Sequence, residues 1–147
     1  MLLVKITNGE VAQYPYTLND LRREHSHTSF PKTVSEETLA EYGVYAVTVP
    51  AQPTYDRLVQ SPVLSTVPYL DADSWMLSYT VENKSQELAE KNIRDKRNQL
   101  LSATDWTATT DNTMTTEMTA YRQALRDITS QTGFPYEVIW PTIAGSN

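Results

Sequence analysis

Residues 94–106 read RDKRNQLLSATDW and residues 121–141 read YRQALRDITSQTGFPYEVIWP; the periodicity of these two stretches decides the fold of the second half of the chain. Residues 85–102 contain neither Pro nor Gly and are rich in strong helix formers. Leu88, Ala89, Ile93, Leu100 and Leu101 make a narrow apolar stripe, and Glu87 with Lys91 and Glu90 with Arg94 are well-oriented i,i+4 pairs. The early turns are mostly polar and read as a spacer or coiled-coil arm; the later turns are the ones expected to pack. Asp105-Trp106 ends this helix, and residues 107–116 form a polar connection without apolar period. Met118, Tyr121, Leu125 and Ile128 then fall on one face of a second helix. Gly133 suits its termination, Phe134-Pro135 turns the chain, and residues 136–140 form a short extended piece blocked by Pro141. A connection of this length makes the two helices antiparallel neighbours.

Working outward, the first half carries shorter signals. Residues 2–6 are an apolar run with Asn8-Gly9 after it, a pair that accepts positive φ at both turn positions and so predicts a hairpin with residues 11–14, closed by Pro15. Thr17 is placed to cap a short helix through Leu18, Leu21 and Arg22, with Asp20 in its first turn. Ser35 caps a second, with Glu36 and Glu37 in the first turn and Gly43 past the end. Residues 44–49 alternate as a strand, and Pro50, Pro53, Pro62 and Pro68 restrict residues 50–70 to turns and edge strands. Residues 71–74 read as a turn and residues 75–81 as a final strand. The expected class is α+β: a mixed, mostly β N-terminal domain over residues 1–81, then a helical hairpin with an extended tail over residues 82–147.

Composition narrows the function. The chain has 147 residues, 39 % of them apolar and 20 % charged, with a net charge of −6, the balance of a globular chain that folds in water. An acidic balance argues against nucleic-acid binding by phosphate neutralisation. With no cysteine, disulfides, thiolate metal sites and thiol nucleophiles are excluded. The opening MLLVKITNGE has too short an apolar run for a signal peptide, and no run approaches a membrane span. No cofactor, membrane or nucleic-acid partner is expected. His25 and His27 lack the further ligands a metal needs, Asp71 and Asp73 lack Ca²⁺-loop spacing, and adjacent Glu36 and Glu37 do not face each other on a helix. Only four glycines are present, and no phosphate loop or nucleophile elbow is among them.

The residues that remain suit protein contact. Arg94, Lys96 and Arg97 form either a solvated, salt-bridged helix face or, with Arg122 and Arg126, a set of pins bonded to Asp105 and Asp127. Trp106 is expected inside the hairpin's own core, and Trp140 on the tail is the expected partner anchor, with Tyr121, Phe134 and Tyr136 as further contacts. The polar end, residues 144–147, is expected to be ordered by packing or by a partner.

Taken in order, Arg94 and Arg97 before Asn98, Leu100-Leu101, Thr104-Asp105-Trp106, Tyr121-Arg122, Leu125-Arg126-Asp127 and Trp140-Pro141 resemble the C-terminal region of bacteriophage tail assembly chaperones and tail-fibre assembly proteins. The opening NGE, YPY, SFP and YGV elements are similar to the N-terminal part of such proteins. Residues 107–116 depart from the pattern, being Thr-rich where relatives often carry prolines. The resemblance implies a non-enzymatic protein that helps a tail fibre or other tail component to fold, oligomerise or attach, with self-association also open. It would act in the host cytoplasm during assembly, and in some phages such factors stay on the finished fibre. The second reading is a stoichiometric structural protein of the tail fibre or baseplate. A host-directed enzyme or toxin is a weaker third, since no catalytic constellation is found.

Overall fold

A computed structural model describes residues 1–143; the expectation about residues 144–147 lies outside the described residues. The fold is mixed α+β, and contacts divide the chain into two compact units. One comprises Met1–Thr54 with Pro62–Thr80, the other Tyr55–Ser61 with Val81–Asn147.

The first unit is built on a hairpin of β1 (Leu3–Thr7) and β2 (Glu10–Tyr16), turned by Asn8 and Gly9, both at positive φ. That is the backbone the Asn-Gly pair supplies at low cost. Pro15 does not close β2, which runs on to Tyr16; Tyr16 pairs with Leu3 across a register shift, and β2 is the edge strand of its sheet, where a missing N–H is tolerated. Helix α1 (Leu18–Glu24) starts from a complete capping box: the Asp20 N–H donates to the Thr17 hydroxyl at 3.1 Å and the Thr17 N–H to the Asp20 carboxylate at 3.0 Å. Helix α2 (Glu36–Glu41) is capped by Ser35, and Gly43, at φ 66°, passes the chain into β3 (Val44–Thr48). A side chain at Gly43 would meet the Ile6 carbonyl oxygen at 2.7 Å.

Strands β5 (Tyr69–Asp71) and β6 (Ser74–Met76) complete a five-stranded sheet in the order β2-β1-β3-β6-β5, in which only β3 and β6 run parallel. Leu3, Tyr16 and Val44 bury one sheet face under Leu21, Val34 and Leu39; Val4 and Val47 bury the other with Leu77. The strand expected over residues 75–81 is in fact two. Leu77 turns into the core and donates its N–H to the Thr48 carbonyl at 3.0 Å, and the chain then leaves for a separate two-stranded sheet of β4 (Gln60–Leu64) and β7 (Tyr79–Asn83). The alternation of apolar residues survives the break because both segments stay extended, so sequence pattern alone does not reveal it.

In the second unit α3 (Gln86–Ala103), capped by Ser85, packs against α4 (Thr116–Arg126), capped by Thr115. Ala89 and Ile93 of α3 share a core with Leu125 and Ile128, while Arg122 reaches back to Leu101, so the helices run antiparallel. The polar early turns of α3 are therefore not a spacer: Ala89 and Ile93 are its only fully buried residues. They share their core with Val59, from the short segment Tyr55–Ser61, which belongs to this unit. Asn92 donates to the Leu58 carbonyl at 2.7 Å and the Lys84 N–H to the Val59 carbonyl at 2.8 Å, which fixes the segment. Of the expected pairs, Glu90 meets Arg94 at 2.8 Å, whereas Lys91 turns forward to Asp95 at 2.6 Å rather than back to Glu87.

Candidate docking surface

The connection after α3 is not structureless at its start. Residues Asp105–Ala108 make one 3-10 turn, and a chain of threonines holds it. The Thr104 hydroxyl donates to the Leu101 carbonyl at 2.9 Å, the Thr107 hydroxyl to the Thr104 carbonyl at 2.6 Å, and the Thr109 hydroxyl to the Trp106 carbonyl at 2.9 Å. These bonds take up carbonyls that a helix end leaves without intrahelical partners. Arg122, 6 % exposed, completes the corner from α4. Its guanidinium donates to the Leu101 carbonyl at 2.8 Å, the Thr104 hydroxyl at 2.5 Å and the Asp105 carboxylate at 2.8 Å. A buried cation at a helix C-terminus is favoured by the helix dipole and here also has a carboxylate partner.

Of the four arginines considered as pins, Arg122 is the one that holds the hairpin. Arg94 pairs along its own helix with Glu90 and lies over the Phe134 ring at 5.4 Å; Arg97 bonds the side chain of its neighbour Asn98; Arg126 is exposed, with no side-chain bond among the described residues. Asp127 accepts from Gln123 rather than from an arginine. Trp106 is also corrected: it is 66 % exposed, not in the hairpin core. The 3-10 turn sends Thr107 inward, where its short side chain closes the corner, and the adjacent indole outward.

The tail is laid back on the same core. Tyr121, Phe134, Tyr136, Val138 and Trp140 are half-buried against the cluster around Ile93 and Leu125. The Tyr136 hydroxyl donates to the Lys84 carbonyl at 2.8 Å, and Lys96 sits over the Trp140 ring at 4.3 Å. Residues 132–136 form turns, with a bend at Glu137, rather than the start of an extended piece, and residues 138–143 follow without regular secondary structure. Gly133 is required by this turn, since a Cβ there would collide with the Glu137 carbonyl oxygen and lie 2.7 Å from the Glu137 Cβ. The Gln131 side-chain amide clips Ile139 from both sides, donating to its carbonyl at 2.9 Å and accepting from its N–H at 2.8 Å. Ile139 is thereby fixed in its backbone while its side chain is 81 % exposed. It borders an open groove of about 860 Å³ lined by Asp56, Gln131, Tyr136 and Val138 among others.

Phe134, Tyr136 and Trp140, expected as contacts, thus each spend one face on their own unit, while Trp106 and Ile139 are more exposed than Leu88 and Val81, the other large apolar side chains of this unit held out in solvent. Nothing in the periodicity marks Ile139; the signal that could have found it is Gln131, whose amide has the length to bracket an unpaired extended residue. Elsewhere the titrating groups serve structure. Burial, then the bond to Glu24, pushes the Tyr16 hydroxyl above its ordinary range. Among the described residues no group of three or more His, Asp or Glu side chains is placed to hold a metal, and no helix is long and apolar enough to cross a membrane.

The buried arginine corner and the clipped tail each present an apolar side chain from a fixed backbone. Residues 90–143, which hold both features, match the family model described as phage tail assembly chaperone protein. The resemblance drawn from the Thr104-Asp105-Trp106 and Tyr121-Arg122 elements is borne out over those residues, and the match supports a role in phage tail assembly. No curated protein and no solved structure matches the chain.

Proposed function

We propose that the protein assists the folding, oligomerisation or attachment of a phage tail fibre or another tail component, binding it through the second unit without chemical turnover. The observation that carries this reading is the coincidence of the family match with one self-contained core whose exposed apolar residues are rigidly presented. Rigid presentation lowers the entropy lost on binding, so a few such side chains suffice for a specific contact. The protein acts in the host cytoplasm while tails are being built.

Co-production with the tail-fibre protein of the same phage is expected to raise the yield of soluble, oligomeric fibre. Unchanged yield and oligomer fraction would end the chaperone reading. Mass spectrometry of purified virions distinguishes a transient assistant, absent or far below the fibre's copy number, from a structural tail protein present in fixed ratio to it.

A further inference from the structure

We propose that the Trp106 corner is the grip on the tail partner, and that it fits a partner site with an apolar floor rimmed by lysine or arginine. The inference rests on the tail-assembly reading and adds the contact residue and the chemistry of the surface it meets. Three observations carry it. First, Trp106 is exposed although its flanks are locked: Thr104 and Thr107 are buried, and Asp105 is held by Arg122. A buried guanidinium bonded to a carbonyl, a hydroxyl and a carboxylate is an expensive way to end a helix, since a buried charge loses hydration that its partners must offset. What the expense secures is a fixed indole in water. Second, an exposed tryptophan on a preordered turn has large apolar area and few rotamers to freeze, the property that makes tryptophan dominate contact energies.

Third, the stretch of chain that holds Trp106 carries one sign of charge. From residue 98 to residue 121 there is no lysine or arginine, while Asp105, Asp111 and Glu117 are all exposed. The Thr109 hydroxyl bonds the Trp106 carbonyl and the Asn112 N–H bonds the Thr109 carbonyl at 3.1 Å, so Asp111 lies in the turn tied to the corner. Arg122, the next cation along the chain, is turned inward and spent on Asp105. An indole beside an acidic connection suits a partner whose guanidinium or ammonium groups stack on the ring and pair with exposed carboxylates such as Asp111.

The test uses the full chain and each structural tail protein of the same phage, produced separately with an affinity tag. Trp106→Ala is expected to weaken binding about thirtyfold or more with the thermal midpoint unchanged. Asp111→Lys is expected to weaken it severalfold at low salt, with the difference closing at high salt as the charges are screened. If wild type binds a tail protein and Trp106→Ala binds it within twofold, this inference is overturned while the tail-assembly reading stands. Tighter binding by Asp111→Lys would overturn the basic rim. A change in the sedimentation of the chain alone on Trp106→Ala would make the corner a contact between copies and overturn the proposal. Should wild type bind none of the tail proteins, the tail-assembly reading itself falls.

Discussion

Arg122 ties three groups of the second unit together at once. Replacing it with Met keeps the length and apolar stem but takes the donor from the Thr104 hydroxyl and the Asp105 carboxylate and leaves the Leu101 carbonyl only its bonds from Thr104. A loss of roughly 2–4 kcal/mol is expected in urea denaturation, in keeping with removal of a buried, multiply bonded charge. Arg122→Lys should recover only part of this, because an ammonium cannot reach acceptors on both sides of the fork. Gly133→Ala is expected to cost about 1–3 kcal/mol through overpacking against Glu137. In the first unit the Thr17 hydroxyl bond, then the Thr17 N–H and Arg23, holds the Asp20 carboxyl below its usual range. A carboxyl with a lowered folded value stabilises the fold above its unfolded pKa and loses that contribution as pH falls through the folded value. The stability gap between wild type and Asp20→Asn should therefore be full at pH 6 and shrink below about pH 4, which a series of thermal melts would read directly.

At the level of elements, the tail is the piece whose order hangs on the fewest bonds. Gln131→Ala removes both bonds to Ile139, and the Ile139 amide is expected to exchange with solvent about tenfold faster, while amides of α3 keep their protection. Elements set by neighbours in sequence are legible in it: Asn8-Gly9, the caps at Thr17 and Ser35, and the apolar face of α4 each act within a few turns of chain. Elements set by distant partners are not. The break at Leu77 depends on which strand is alongside, and the burial of Ala89 and Ile93 depends on Val59, thirty or more residues earlier. The candidate site divides the same way. Its residues can be gathered from the sequence, but size alone argues Trp106 into the core, and only the 3-10 turn decides which of two adjacent residues faces in.

Among the described residues each unit has its own core, the first around Leu21 and Leu39 on one sheet face and Leu77 on the other, the second around Ile93 and Leu125. Val59→Ala is expected to cost about 2 kcal/mol, with faster amide exchange in α3 and α4 and none in β1 and β3. Faster exchange in the first sheet as well would show that the cores melt as one. The placement of Tyr55–Ser61 in the second unit has a consequence on the ribosome. Val59 is synthesised well before Leu125 and Ile128, the side chains that cover it, and at about 5–20 residues per second it waits several seconds for them. Throughout that interval the nascent chain carries an uncovered apolar segment between strands that are already able to pair. The second core therefore closes late, as a loop drawn shut around a segment made early.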